Sequence, residues 1–548
     1  MVDVTWEAPG PGRWELDRSH MAGGTTPIMQ ALQEHSMPRG MRRIFRDLGT
    51  PADTLDARFV NGFMYTRLRP LIRPEKPAGK LPPLPLLKLV TKLHPEMRRR
   101  ARTAERTLRE HPWREVIGDW ETTTRRSVEE SNLALQDVDL GALDDAALLD
   151  HLHRVVDHCR VMWELHFWLH GYDLGPIGLL LSGASQWGLP LPDVIELLAG
   201  ASPSTSEPVQ VQARLRAAVE ASGTTPASLE DVRRISPEIA ADVDRYLRYR
   251  GSVLFSRYDV DGVTLGEVPD VVLATLMSSE VRDASSAVAE QTARVREVVP
   301  AAHLDEFDQR LEEARAAMNL RDDNGPTTAE WPLGLLRLSL LELGRRLAER
   351  GLVQRREHVF ELELDEIALP VFEGTPGADV LAARASRRRE LAALAPPTTL
   401  GPEEPAPPPS VLPTALAELV TAVQIVIEQL GMGGDRAEGS GLRGSGIGTT
   451  RYRGTARRAD SPEEAIDAME PGDILVVACT TPAYNTVLAL AGGVVTATGG
   501  PLSHAAVLAR ELGIPAIIGA TGALTMIGDG DEIELDPASG EVLVIARA

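Results

Sequence analysis

One short segment near the C-terminus combines the residue types that phosphoryl transfer needs. Residues 498–515 read TGGPLSHAAVLARELGIP, with His504 at the centre. A neutral imidazole is a competent nucleophile, and covalent catalysis by histidine divides one difficult transfer into two easier steps. Gly499 and Gly500 precede it, and because glycine has no side chain, the backbone amides at these positions can approach an anion closely. The segment therefore predicts a histidine that takes up and passes on a phosphoryl group.

The elements around His504 are predicted to position it at the start of a helix. Residues 494–496 form a strand, and Ser503 is a good N-cap, so His504 falls in the first helical turn. The positive end of that helix favours a phosphate on or near the imidazole. Arg510 lies six positions further on and supplies a guanidinium for charge-assisted hydrogen bonds to the phosphate. Gly513 and the following proline end the helix.

The last hundred or so residues are predicted to form a compact α/β domain. Short strands are expected at residues 474–478, 494–496, 516–518, 532–535 and 542–545, with helices around 461–469, 483–491 and 504–512. Residues 28–395 show apolar spacing of three and four, which is typical of helices, with a strand-like piece at 359–364. The predicted fold is therefore multidomain, with a large mainly α-helical domain followed by a small α/β swivelling domain.

A segment of changing composition joins the two predicted domains. Residues 396–413 hold eight prolines, which favours a stiff polyproline II spacer. An apolar helix is predicted at 414–430. Residues 431–448 hold eight glycines, which predicts a flexible coil. Two interpretations stay open, a hinge for a moving domain and an ordinary linker. The predicted domains are 1–395 for substrate binding, 396–441 as linker and 442–548 as the swivelling domain.

The segment around His504 closely resembles the phosphohistidine signature of PEP-utilising enzymes, such as pyruvate phosphate dikinase, PEP synthase and rifampin phosphotransferase. The matching positions are Gly499, Gly500, Ser503, His504, Ala505, Ala506, Ala509, Arg510, Glu511, Gly513, Pro515 and Gly519, and the likeness continues through residues 527–540. The resemblance implies that His504 is the phosphorylated residue. Many relatives carry Thr where this chain has Leu502. A purely structural histidine at a helix start is the alternative.

The helical region resembles, more loosely, the substrate-binding domain of rifampin phosphotransferase. The similar pieces are PGPGRWELDRSH, DARFVNGFMYTRLRP, SPSTSE, RDDN and HVFELELDE, whereas the YLRYRG run at 246–251 lacks the histidine usual in relatives. The full enzymes contain an ATP-grasp domain that charges the histidine, and no phosphate-binding loop or PEP-binding barrel is recognised here. The resemblance therefore implies a separate ATP-grasp partner that holds ATP and Mg²⁺, with no cofactor in this chain.

The helical region offers four candidate substrate-binding residues. His166 and His170 are spaced by four in MWELHFWLHGYD, which suits a metal, a pocket wall or plain core. Arg321 and Asn324 lie at a predicted helix end, where they bind a polar substrate or serve only as capping and solvated residues. No metal is assigned to either pair.

Composition narrows the classes of partner. The net charge of −22 argues against nucleic-acid and anionic-membrane binding, and the basic run at 98–102 is interpreted as a solvated helix face. Two cysteines provide neither a disulfide framework nor a zinc pattern, and no signal peptide or membrane span is recognised, so a cytoplasmic protein is expected.

These observations favour the phosphocarrier and acceptor-binding component of a dikinase-type phosphotransferase, which passes a phosphoryl group from His504 to a small hydroxylated molecule. The likeness to rifampin phosphotransferase implies a bulky, partly apolar natural product as acceptor. Two alternatives stay open. One is a repurposed scaffold that performs non-phosphoryl chemistry such as natural-product cyclisation, and the other is a non-enzymatic regulatory protein.

Overall fold

The computed structural model describes residues 4–17, 21, 23–72, 81–278, 285–431, 441–480 and 484–548. The chain divides into two compact units. Unit 1 comprises Met1–Tyr172, Arg257–Gly262 and Asn324–Thr421, and unit 2 comprises Asp173–Ser256, Val263–Asp323 and Ala422–Ala548. The domain boundaries predicted after residues 395 and 441 stay predictions. Half of the glycine-rich segment 431–448, residues 432–440, lies outside the described residues.

Helices make up most of both units. They are α1 Pro27–Leu48, α2 Leu84–Leu93, α3 Pro95–Glu110, α4 Trp113–Asp119, α5 Arg125–Gln136, α6 Asp145–Gln186, α7 Leu191–Glu196, α8 Pro203–Ser222, α9 Leu229–Arg233, α10 Pro237–Arg250, α11 Pro269–Ser278, α12 Ser285–Val298, α13 Leu304–Asn324, α14 Trp331–Glu349, α15 Ala378–Ala392, α16 Thr414–Leu430, α17 Pro462–Ala468, α18 Asn485–Leu490, α19 His504–Leu512 and α20 Ala523–Met526. The strands are β1 Trp14–Leu16, β2 Ala52–Val60, β3 Phe63–Pro70, β4 Thr399–Leu400, β5 Ser445–Ile447, β6 Tyr452–Arg458, β7 Ile474–Val477, β8 Gly493–Thr496, β9 Ala516–Ile518, β10 Glu532–Asp536 and β11 Glu541–Ala546.

Unit 1 contains an antiparallel sheet of order β2-β3-β1-β4 beside its helices. The β2–β3 hairpin turns at Asn61 and Gly62, whose φ angles of 52° and 79° suit a two-residue hairpin loop. The sheet buries Trp14, Phe63 and Tyr65 in one apolar cluster. The sequence analysis treated this region as helical apart from short strand-like pieces and did not recognise the hairpin.

The strand expected at residues 359–364 was wrong. Residues Arg356–Glu361 form a 3-10 helix instead. Val359, Phe360 and Glu361 are buried in succession, which is not the alternation of a half-exposed strand. The Glu361 carboxylate accepts a hydrogen bond of 2.9 Å from Nε of Arg388, so its burial is compensated by an ion pair.

The C-terminal part of unit 2 is a seven-stranded sheet of order β11-β10-β6-β7-β8-β9-β5. Strands β6 to β9 run parallel, and β5 and β10 join this parallel block in antiparallel orientation. Apolar clusters cover both faces, one formed with α17, α18 and α19 and the other with α20. The predicted fold class, a large mainly helical region followed by a small α/β domain, is confirmed.

The order of the sheet determines which loops meet. Strands β7 and β8 pair in parallel register, with Ile474 opposite Gly493 and Val477 opposite Thr496. Their carboxyl ends therefore lie side by side, which is where open parallel sheets carry their functional loops. The loop after β8 contains Gly499 and Gly500 and leads into α19.

The helices α7 to α13 belong to unit 2 as well. Three of them, α8, α10 and α11, share an apolar cluster that includes Leu215, Val243 and Leu276. Among the described residues, no helix combines the length and apolarity that a membrane span requires.

Candidate functional site

His504 is the first residue of α19, as the sequence predicts. The loop that precedes it turns through Gly499, whose φ of 107° lies in the region that disfavours residues with a Cβ atom. Gly500 is required by close packing, because a Cβ there would lie 2.3 Å from the Gln429 carbonyl oxygen. The amide of Leu502 donates to that same carbonyl at 2.9 Å. The two glycines thus shape the loop and let it pack against the end of α16.

Ser503 occupies the N-cap position, but the capping hydrogen bond expected from its side chain is absent. Its backbone has φ −65° and ψ 160°, as an N-cap residue should. The Oγ atom is buried and has no hydrogen-bond partner among the described residues. The prediction was therefore right about the position and wrong about the bond. A buried hydroxyl without a partner beside His504 is available to a ligand.

Thr480 holds the imidazole of His504. Its Oγ1 atom lies 2.9 Å from Nδ1 of His504. The residue follows β7, and the loops after β7 and β8 are tied together because the Thr498 hydroxyl donates to the Ala478 carbonyl at 3.0 Å. Thr480 is not among the site residues predicted from the sequence. Its position just beyond a buried strand that neighbours β8 is the signal that would have found it.

The electrostatic surroundings keep His504 neutral. Burial, together with the positive charge of Arg321, lowers the pKa of the imidazole to about 3. Arg321 was predicted as a substrate-binding residue of the helical region, and its Nη2 donates to the Leu502 carbonyl at 2.7 Å. A neutral imidazole at physiological pH has the lone pair that a nucleophile needs.

The Arg510 side chain hydrogen-bonds to the backbone of the loop before His504. Its Nη1 donates to the Pro501 carbonyl at 2.6 Å. Burial lowers the pKa of Arg510 to about 10, while the charge of Glu196 opposes that shift, so the guanidinium remains charged. A cavity of about 350 Å³ adjoins the C-terminal end of α19 and is lined by Glu196, Arg294, Thr450 and Arg510, among others. The predicted contact of Arg510 with phosphate stays a prediction.

Three of the four predicted substrate-binding residues come together in unit 1. Nε2 of His170 lies 3.2 Å from Nε2 of His166, and Nδ1 of His166 lies 3.3 Å from Oγ1 of Thr328. The Asn324 amide donates to the His166 carbonyl at 3.1 Å. Thr328 belongs to a π-helical segment, Gly325–Glu330, a local irregularity that is frequent at functional sites. Arg321 belongs to unit 2.

Packing around the histidine pair favours the pocket-wall and core interpretations. The His166 ring makes edge contacts with Trp163 and Phe167, with centroids 5.2 Å and 5.3 Å away. The Thr328 hydroxyl donates to the Asn324 side-chain oxygen at 2.7 Å, so the polar groups bond to one another. Within the described part of the chain, no three His, Cys, Asp or Glu side chains converge as metal ligands would.

Comparison with known proteins gives a family match at the C-terminus. Residues 469–540 match the PEP-utilising enzyme, mobile domain. An uncharacterized protein of Mycobacterium tuberculosis is 38% identical over 219 residues, which cover 39% of this chain and 22% of the relative. The uncharacterized phosphotransferase YvkC of Bacillus subtilis is 30% identical over 243 residues, 44% of this chain and 28% of the relative.

One relative aligns with almost the whole chain. Chondramide synthase of Chondromyces crocatus is 28% identical over 598 aligned positions, which cover 99% of this chain and 14% of the relative. The chain spans less than a third of the length of each of these three relatives. The matched residues include His504, Thr480 and the strands that position them, so it is the C-terminal domain of this chain that matches the mobile domain of PEP-utilising enzymes.

Proposed function

We propose that this chain is a phosphoryl carrier in which His504 accepts a phosphoryl group and passes it to a small hydroxylated molecule. The observation that carries the proposal is the contact of 2.9 Å between the Thr480 hydroxyl and Nδ1 of His504, at the start of a helix. This contact orients the ring through Nδ1, and Nε2 is the proposed attacking atom. Similarity to a phosphotransferase-like family supports the same chemistry.

The proposed reaction has two balanced steps. When Nδ1 carries the ring proton and donates it to Thr480, the Nε2 lone pair attacks the phosphorus of the donor. The N–P bond forms as the P–O bond to the donor breaks, and the electron pair leaves with that oxygen. In the second step the acceptor hydroxyl oxygen attacks phosphorus, the N–P bond breaks, and a general base takes the hydroxyl proton.

The donor and acceptor belong to the proposal as well. In this proposal a separate ATP-grasp protein phosphorylates His504 with ATP and Mg²⁺, and the acceptor is a small hydroxylated molecule, a bulky natural product. The histidine pair of unit 1, with Asn324, is the proposed place where such an acceptor binds. In the 3.2 Å contact between His166 and His170, one ring donates a hydrogen bond and the other accepts it, and a neutral imidazole of this pair is the proposed general base for the acceptor hydroxyl.

A small chemical donor tests the carrier function without the partner. The chain is incubated with phosphoramidate at about pH 7.5, and the occupancy of each histidine-containing peptide is followed by mass spectrometry under alkaline conditions. We expect His504 to be labelled at least about tenfold faster than the partly exposed His303, which contacts Glu306 and stacks on Trp187. Labelling of His504 no faster than that of His303 would contradict the proposal.

A second function is favoured by one observation, the similarity of nearly the whole chain to a synthase. Chondramide synthase aligns with 99% of this chain. This similarity supports a natural-product context, in which the scaffold acts on a bulky substrate without phosphoryl transfer. The two functions differ in their dependence on His504. Substrate turnover that persists in a His504→Ala variant would favour the synthase-associated function over the carrier.

A further inference from the structure

The last turn of α13 brings an arginine to the phosphohistidine loop. Arg321 is half-buried, and its Nη2 donates to the Leu502 carbonyl at 2.7 Å, two residues before His504. Its Nη1 is buried and has no hydrogen-bond partner among the described residues. A buried cationic donor without an acceptor is unfavourable. Such a donor points to an acceptor that arrives with a ligand.

A second unsatisfied group lies next to the histidine in sequence. Ser503 Oγ is buried without a partner, although Ser503 occupies an N-cap position where hydroxyls ordinarily bond to backbone amides. Arg321 therefore contacts Leu502, Ser503 follows, and His504 comes next. Two groups that can bind anionic oxygens therefore lie near the reacting imidazole. One is the hydroxyl of the preceding residue, and the other is a guanidinium that contacts the residue before that.

The electrostatics single out Arg321 from the other arginine of the loop. Burial lowers the pKa of the His504 imidazole, and the charge of Arg321 lowers it further. Arg510 instead donates to the Pro501 carbonyl at 2.6 Å and interacts with Glu196. Both arginines donate to a loop carbonyl, but among the described residues only Arg321 of the two has a buried nitrogen, Nη1, without an acceptor, and such a donor can bind an anionic oxygen.

We infer that Nη1 of Arg321 and Oγ of Ser503 bind the oxygens of the phosphoryl group carried on His504. The site takes a tetrahedral phosphate dianion or a phosphoryl group of the same charge. Because Arg321 belongs to α13, outside the matched mobile domain of residues 469–540, the phosphate site is a composite of two segments of unit 2. This inference rests on the proposed carrier function, because the bound group is the phosphoryl group that His504 carries. The binding of phosphate can nevertheless be measured separately.

Binding of inorganic phosphate provides the first test. The full chain is labelled with ¹³C at its histidines, the His504 signal is assigned from its absence in His504→Ala, and the signal is followed during titration with phosphate at about pH 7.5. We expect Arg321→Gln to weaken phosphate binding by about tenfold and Arg321→Lys to restore part of it. Ser503→Ala, a small change that avoids a folding defect, is expected to weaken binding by about threefold.

The titration of His504 provides the second test, because a merely structural arginine would not alter it. Removal of the Arg321 charge is expected to raise the pKa of His504, since that charge disfavours the imidazolium. Arg296→Gln is the matched control, because Arg296 forms an exposed ion pair of 2.7 Å with Asp308 in the same unit. The control should change neither the pKa nor phosphate affinity.

The outcomes separate this inference from the carrier function. If Arg321→Gln and Ser503→Ala bind phosphate as tightly as the wild type, and the pKa of His504 is unchanged, the inference is overturned, whatever the labelling of His504 shows. If phosphate binding depends on Arg321 but phosphoramidate never labels His504 in the wild type, the anion site stands and the carrier function fails.

Discussion

The two histidine sites of this molecule differ in how their polar groups are satisfied. In unit 1, His166 and His170 contact each other, and Thr328 and Asn324 hydrogen-bond with the pair and with each other, although the buried Nε1 of the neighbouring Trp163 has no partner among the described residues. In unit 2, His504 begins a helix, and the buried Oγ of Ser503 beside it has no partner among the described residues. The first arrangement is that of a stable polar core. The second has groups left to bind a ligand.

The difference shows why position matters more than residue type. Imidazoles occur at both sites, but only His504 lies at a helix N-terminus beyond the carboxyl ends of parallel strands. That position exposes backbone amides of the first turn and the positive end of the helix to a bound anion. A histidine in the middle of α6 has neither, because the amides there are bonded within the helix.

The largest expected effect is the loss of labelling on replacement of His504. His504→Ala should abolish phosphorylation by phosphoramidate at this site, and any phosphotransfer that depends on it should fall by roughly 10³-fold or more, because no other group provides the nucleophile. His170→Ala is the matched comparison in unit 1 and should leave the labelling rate of His504 within about twofold. Peptide mapping of both variants checks this. Equal effects of the two changes would remove the distinction between the sites.

Removal of the Thr480 hydroxyl should have a smaller effect. Thr480→Val keeps the shape of the side chain but loses the hydrogen bond to Nδ1 of His504, which orients the ring. One such bond contributes about 1 kcal/mol, so labelling of His504 should slow by about fivefold to tenfold. Thr480→Ser retains a hydroxyl and should recover most of the rate. A Thr480→Val rate equal to the wild type would mean that the ring is held by other contacts.

In unit 1 the expected effect of a comparable change is on stability. Asn324→Ala removes a buried amide that donates to the His166 carbonyl and accepts from Thr328, so both hydrogen bonds are lost, although the Thr328 hydroxyl keeps its bond to the backbone carbonyl of residue 324. The free energy of unfolding should fall by roughly 2–3 kcal/mol. Thermal unfolding measures the loss, and the labelling rate of His504 should be unchanged. Loss of labelling without loss of stability would show that the interior pair takes part in the transfer.

Much of the mobile domain could be predicted from the sequence because its signals are local. The helix at 504–512 agrees with α19, and the helix at 414–430 agrees with α16. Strand β6 was missed because YRGTARR is rich in arginine and buries only Ala456 fully, so the usual alternation is weak. The hairpin of β2 and β3 was missed although Asn61-Gly62 is a strong turn signal, because apolar spacing suggested helices throughout that region.

The candidate site divides in the same way. His504, Gly499 and Ser503 were found because they are close together in sequence. Thr480 and the role inferred for Arg321 were not, since they lie 24 and 183 positions from His504 and only the fold brings them to it. The spacing of residues within one segment reveals the nucleophile. The groups that orient its ring and act on it electrostatically come from other elements, and no local sequence pattern connects them to it.

A last expected effect, on stability alone, comes from a buried carboxyl group next to Arg321. Asp322, next to Arg321 on α13, has a buried Oδ2 without a partner among the described residues, and burial raises its pKa from 3.8 to about 6. The folded state thus binds this proton more tightly than the unfolded state, so stability falls as pH rises from about 4 to 6. Asp322→Asn should stabilise the protein at pH 7.5 by on the order of 1–2 kcal/mol, after allowance for partial exposure to solvent. The gain should disappear below about pH 4, where the wild-type carboxyl is protonated in both states.

Thermal midpoints of the two proteins at both pH values measure this difference. A constant difference at both pH values would mean that the ionised form of Asp322 does not destabilise the folded protein. The contrast between the polar core around His166 and the site around His504 would then rest on Arg321 and Ser503 alone.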